Sequence, residues 1–298
     1  MSYARILGQI KGEGQEAHAS GSPDRAVLQA ALTLAKAFEA DLRILHVALD
    51  PAQALPLLGE GMTGAMASSL SADLTQLAKS ARIQAETLVQ EVCQDQGITL
   101  RGSEEVAPAG RFSVGFEQAQ GLEEEITIAR ARIADLSVLA HPGADEALGN
   151  PTAEAVLFNS GRPLLLAPLQ GMTAIPNRMA VAWNGSAEAA RAVALAMPLL
   201  RKAEEVIVIS GESDKAAAEA QPSALAELLD QHGMNAKTWR YQPEDWPVSR
   251  SLIQEARKSG AGLLVMGGYG HSRVREVFLG GATREAFKAA DLALLMAH

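Results

Sequence analysis

Short apolar runs alternate along this chain with longer stretches in which apolar residues recur every three or four positions. Runs of five to seven residues stand at Ala4–Ile10, Asp41–Val47, Leu136–Ala140 and Pro163–Ala167. The series returns at Arg178–Trp183, Val206–Ser210, Gly262–Met266 and Leu292–Met296. Such runs predict strands covered on both faces, because a strand open to water on one side would alternate apolar with polar. Helical periodicity predicts helices near Asp24–Glu39 and Ala187–Arg201, with further helices around a third strand in each half. Strand and helix in alternation predict βαβ units, and so an α/β fold with a parallel sheet between helices.

Local signals sharpen these elements. Ser22–Pro23–Asp24 sets a proline in a first helical turn, where its missing N–H is not needed. Gly97 and Gly233 follow predicted helices and fit the left-handed position that closes them. Ser186 precedes a helix and reads as its N-cap. The stretch Gln170–Pro176 separates the two series, so residues 1–170 and 171–298 are expected to be two domains. Much of the extra length of the first lies in 48–70, rich in Leu, Met, Gly, Pro and Ala. It reads as a surface loop, or as a lid or a contact surface for a protein partner.

Composition limits the partners. The chain has 298 residues and a net charge of −9. Residues 1–170 hold 12 basic and 21 acidic side chains, against 14 of each in 171–298. No broad positive field is available for nucleic acid, and a small anion would find the neutral half more favourable. No apolar run approaches the roughly 18 residues of a membrane span. The N-terminus lacks the apolar stretch of a secretory signal, so a cytoplasmic location is expected. Cys93 is the sole cysteine, which excludes an internal disulfide, and no two histidines stand four apart as helical metal ligands do. Cys93 reads as a small buried residue.

The densest chemical signal follows the strand at Gly262–Met266. It reads Gly267–Gly268–Tyr269–Gly270–His271–Ser272–Arg273, and then Leu279–Gly280–Gly281–Ala282–Thr283. Ligands of open α/β sheets sit at the carboxyl ends of strands. Glycines there let the backbone come close to a ligand, and their N–H groups can hold phosphate oxygens. The plain alternative is a glycine-rich turn. The spacing Gly267, two residues, Gly270, nine residues, Gly280 resembles the nucleotide-binding signature of the universal stress proteins, G-x2-G-x9-G followed by Ser or Thr. Val181–Ala182–Trp183–Asn184–Gly185–Ser186 is similar to that family's first strand and its Asp-Gly-Ser ending. The likeness covers nearly the whole chain, as two family domains in tandem.

The resemblance implies two Rossmann-like domains of the adenine nucleotide alpha hydrolase-like kind. Each would have a five-stranded parallel sheet of order 3-2-1-4-5 with helices on both faces. It implies a pseudo-twofold pairing of the domains like a homodimer fused into one chain, with association of whole chains left open. It also implies ATP, with magnesium as a companion, held in residues 171–298. Gly267, Gly270 and Gly280 match the family glycines. Gly281 replaces the hydroxyl residue that follows them, and Asn184 replaces the aspartate near the adenine. Thr283 caps a helix or reaches a phosphate. His271, Ser272 and Arg273 contact phosphates or belong to a solvated loop. The first half has lost the signature: its loop 139–152 carries Pro142, Asp145 and Glu146, hostile to phosphate. Gly12–Glu13–Gly14 is a weak phosphate-turn pattern. The first half is therefore expected to bind no nucleotide. No residue stands out as a catalytic base, so the expected role is regulatory or protective in a stress response, with at most slow hydrolysis of ATP. The alternative is an interaction scaffold that needs no nucleotide.

Overall fold

The computed structural model describes residues 2–12, 22–50, 64–102, 105–141, 150–211, 221–242, 248–268 and 292–298. The first half runs β1 (Arg5–Ile10), α1 (Pro23–Phe38), β2 (Asp41–Ala48), α2 (Gly64–Asp95) and β3 (Ser113–Gln120). It continues with α3 (Glu123–Ala131), β4 (Leu136–Ala140), α4 (Pro151–Asn159) and β5 (Leu164–Ala167). The second half runs β6 (Arg178–Ala182), α5 (Ala187–Leu200), β7 (Glu205–Gly211), α6 (Pro222–Gln231) and β8 (Ala236–Tyr241). Then come α7 (Val248–Lys258), β9 (Leu263–Gly267) and β10 (Ala293–Ala297).

Capping chemistry explains where helices begin and end. Ser22 is the N-cap of α1, and its hydroxyl accepts the Arg25 N–H at 3.2 Å with Pro23 in the first turn. At the other end Glu39 takes φ 53°, and the Ala40 N–H bonds back to Ala35 O at 2.9 Å. Gly97 and Gly233 have φ of 64° and 81°, as a helix-closing glycine should. Segment 48–70 is not a loop throughout, because α2 begins at Gly64 and takes in 64–70. Ala, Met, Ser and Leu in those positions carry little helix penalty, so the helix continues backward from its packed part. Residues 51–63 lie outside the described residues.

The strand order is β3-β2-β1-β4-β5-β10-β9-β6-β7-β8. Each half therefore has the order 3-2-1-4-5, with its own neighbours parallel. The sequence reading of two separate five-stranded sheets misses one feature. β5 and β10 pair antiparallel, Leu164 with Met296, Leu165 with Leu295 and Leu166 with Leu294, so the sheet is continuous over ten strands. Unpaired, each of these edges would leave backbone N–H and C=O groups bare beside wholly apolar side chains. The order reads the same from either edge, which sets the halves about a pseudo-twofold axis at this seam.

Buried side chains form one apolar layer on each face, and both layers cross the seam. One joins α1, α2, α5 and α6 through residues such as Leu28, Leu88, Leu199 and Leu229. The other joins α3, α4 and α7 through Ala131, Leu157 and Ile253. Polar contacts also bridge the halves: Tyr3 Oη donates to Leu195 O at 2.8 Å, and Thr33 Oγ1 to Met172 O at 2.7 Å. Cys93 is buried in α2 among apolar neighbours, and burial pushes its thiol up, which keeps it unreactive.

Candidate functional site

In each half the strand order reverses between the first and fourth strands, the position at which open α/β sheets carry their ligands. In the second half this place lies between β6 and β9, which pair from Met179–Leu263 to Val181–Val265. Asn184 and Ser186 follow β6, and Gly267 ends β9. Ser186 is the N-cap of α5, its hydroxyl accepting the Ala189 N–H at 3.2 Å. Asn184 Oδ1 accepts the Ser186 N–H at 3.1 Å, an Asx turn that shapes the entry to the helix. That oxygen is therefore already engaged, and the Asn184 amide N–H2 is the end of the side chain that remains to donate outward.

Gly267 is pressed against the same helix start. A Cβ there would lie 2.5 Å from Ala189 N and 2.6 Å from Glu188 C. No side chain fits, so the end of β9 and the first turn of α5 meet backbone to backbone. The first N–H groups of a helix have no intrahelical acceptor, which makes this a place suited to an anion. Gly268 turns toward the seam: its N–H donates to Ala297 O at 2.6 Å, and its carbonyl accepts from His298 Nδ1 at 2.7 Å. The expected phosphate residues Gly270, His271, Ser272, Arg273, Gly280, Gly281 and Thr283 lie outside the described residues.

The equivalent place in the first half is built differently. Gly12 follows β1 with φ 69°, and a Cβ on it would lie 2.1 Å from Ala81 O in α2. Its conformation seats the turn against a helix, which the sequence pattern Gly12–x–Gly14 did not indicate. The N–H groups of Lys11 and Gly12 donate to the Asp24 carboxylate at 2.9 and 2.6 Å. Asp24 stands in the first turn of α1 and is buried. Burial pushes its carboxyl above the usual range, against the pull of the two N–H donors. The chain thus supplies its own carboxylate where a phosphate turn would hold its ligand.

Beside that turn opens a cavity of about 840 Å³. It is bounded by the carboxyl ends of β1 and β2, the link from β3 to α3, the start of α4 and one face of α2. The α2 wall presents Leu74, Leu77, Ala78 and Ala81, spaced as one helical face. Glu123 and Glu124 line the opposite side, and Thr152 Oγ1 donates to Glu123 Oε1 at 2.5 Å. Sequence reasoning missed both the cavity and Asp24. The acidic residue right after Ser22–Pro23 was the available sign, but its partners in the turn after β1 become visible only in the fold.

Among the described residues, no helix is long and apolar enough to cross a membrane. No protein-family model matches the sequence, and no curated protein matches it. Solved structures do share the architecture. A universal stress protein from Archaeoglobus fulgidus DSM 4304 is 14% identical, with a TM-score of 0.65 over 98% of this chain and 95% of that one. A functionally unknown protein from Pseudomonas aeruginosa PAO1 is 16% identical, with a TM-score of 0.53 over 99% and 92%. A candidate universal stress protein from Pseudomonas aeruginosa UCBPP-PA14 is also 16% identical, with a TM-score of 0.52 over 99% and 93%. At these identities the likeness concerns the fold: over nearly its whole length this chain folds as those proteins do.

Proposed function

We propose that the protein is a tandem universal stress protein whose second half, 171–298, binds ATP and whose first half, 1–170, does not. The carrying observation is the contact at Gly267. The end of β9 lies against the first turn of α5 with no room for a side chain, and the glycine series Gly267, Gly270, Gly280 begins there. A helix start beside a glycine loop is suited to phosphate oxygens. Asn184, at the adjacent strand end, would stand near the base. His271, Ser272, Arg273, Gly281 and Thr283 would complete the phosphate contacts, with magnesium neutralising the charge. In the first half the Asp24 carboxylate already takes the turn N–H groups, which supports the absence of a nucleotide there.

The role proposed is regulatory or protective, in the cytoplasm, with ATP as a signal rather than a fuel. Binding would favour one arrangement of the chain and so alter its affinity for a protein partner. A scaffold reading has two observations in its favour. Asn184 Oδ1 is taken by its own backbone, and α2 leaves Met66 and Ile83 exposed as apolar contact points.

Calorimetry with MgATP separates the two. Wild type is expected to bind one ATP per chain, and Gly270→Asp, which places a carboxylate among the phosphates, to bind none. Two sites per chain would refute the assignment of the first half. No binding at millimolar ATP would leave the scaffold.

A further inference from the structure

Granting ATP in the second half, on which this rests, we infer that His298 is a positioning residue for the nucleotide loop, and that through it the first half helps to set the geometry of the site. His298 follows β10. Its Nδ1 lies 2.7 Å from the Gly268 carbonyl oxygen. A carbonyl oxygen only accepts, so the ring carries a hydrogen on Nδ1. The Gly268 N–H is held as well, by Ala297 O at 2.6 Å. Gly268, next after the Gly267 that meets the start of α5, is thus fixed at both its backbone groups by the end of β10 and the residue beyond it. A peptide unit is planar, so fixing that carbonyl fixes the direction in which the chain leaves Gly268 for Gly270.

The other side of this contact belongs to the first half. Phe158, near the end of α4, meets the His298 ring in a T-shaped pair, with centroids 5.1 Å apart and planes at 77°. Leu157 of the same helix is buried, and a Cβ built on Gly268 would lie 3.2 Å from its Cδ2. α4 leads into β5, and β5 pairs with β10 at the seam, so the contact is carried by the join between the halves. Leu157 backs the glycine while Phe158 restricts the ring that holds its carbonyl. An imidazole at an open strand end would sample several rotamers. The Phe158 contact removes that freedom before a ligand arrives, which lowers the ordering cost of binding.

Calorimetry with MgATP on the intact protein and its variants tests this. His298→Phe keeps a ring against Phe158 and loses the donor, whereas His298→Asn keeps an amide N–H donor near the place of Nδ1. Affinity is expected to fall about five- to tenfold in His298→Phe, the loss of one hydrogen bond, and by less than about twofold in His298→Asn. Phe158→Ala, which frees the ring from the first half, should weaken binding about threefold. A merely structural His298 would lower the melting temperature and leave affinity unmoved. Nitrogen NMR of the histidines without nucleotide gives a second readout. At about pH 8, where an imidazole is neutral, the His298 signals, identified by their loss in either His298 variant, should be those of the Nδ1–H tautomer. Equal affinity of His298→Phe and wild type, equal loss in the Phe and Asn variants, unchanged binding by Phe158→Ala, or an Nε2–H tautomer would each overturn the proposal. The tautomer is read on wild type, so it decides the matter even where Phe158→Ala folds poorly. A wild type that binds no MgATP would sink the nucleotide reading and this proposal together, whereas binding by wild type with any of those outcomes sinks the proposal alone.

Discussion

Gly12 and Gly97 both have positive φ, yet their surroundings differ. Nothing lies within 4 Å of a Cβ built on Gly97, whereas one on Gly12 would strike the Ala81 carbonyl. Gly97→Ala is expected to cost about 1 kcal/mol, the penalty of left-handed backbone alone. Gly12→Ala should cost clearly more, because α2 must also shift, and urea unfolding of the two variants compares them directly. That each glycine permits a turn was legible in the sequence. That Gly12 serves helix packing was not, because Ala81 is remote along the chain. Gly267 repeats the lesson: its spacing pointed to a ligand loop, and its neighbours Glu188 and Ala189 give it a packing duty as well.

Charged residues tie the elements together at the amino ends of the first three strands. Asp41, at the start of β2, accepts from Arg101 Nη2 at 2.9 Å, Ser113 Oγ at 2.9 Å and Arg43 Nε at 3.1 Å. Arg5 Nε of β1 lies 3.4 Å away. Burial works to raise the Asp41 carboxyl, but the hydrogen bonds from Ser113, Arg43 and Arg101 outweigh it and hold it below the usual range. Its folded value thus lies below its unfolded one. The stabilisation is complete above about pH 4, the unfolded value, and is lost as pH falls through the folded value. Denaturant titrations from pH 6 down to pH 2.5 should show this loss, and Asp41→Asn should flatten it while lowering stability at pH 6. Helix starts at Ser22–Pro23 and Ser186 were readable because a cap is a contact within four residues. The early start of α2 was not, since weak propensity over 64–70 leaves the outcome to what the helix meets.

At the scale of the molecule, the ten-stranded sheet and the two apolar layers join the halves. We expect one cooperative thermal transition by scanning calorimetry, with calorimetric and van't Hoff enthalpies in near agreement, although the sequence reads as two domains. Two resolved transitions would mean that the β5–β10 seam contributes little. The seam also explains why the final strands of both halves are apolar at every position: each is covered above, below and along its edge.

Periodicity along the chain was enough to establish the α/β class, the strand series in each half, the order of elements and the glycine loop. All of these rest on contacts between residues near in sequence or on repeats that any strand or helix must obey. Joining the sheets at β5 and β10, turning Asp24 back onto the Lys11–Gly12 turn, and opening a cavity under α2 required the folded chain. Each depends on groups that meet only when distant segments are packed, and burial and charge at such a meeting cannot be read from either segment alone.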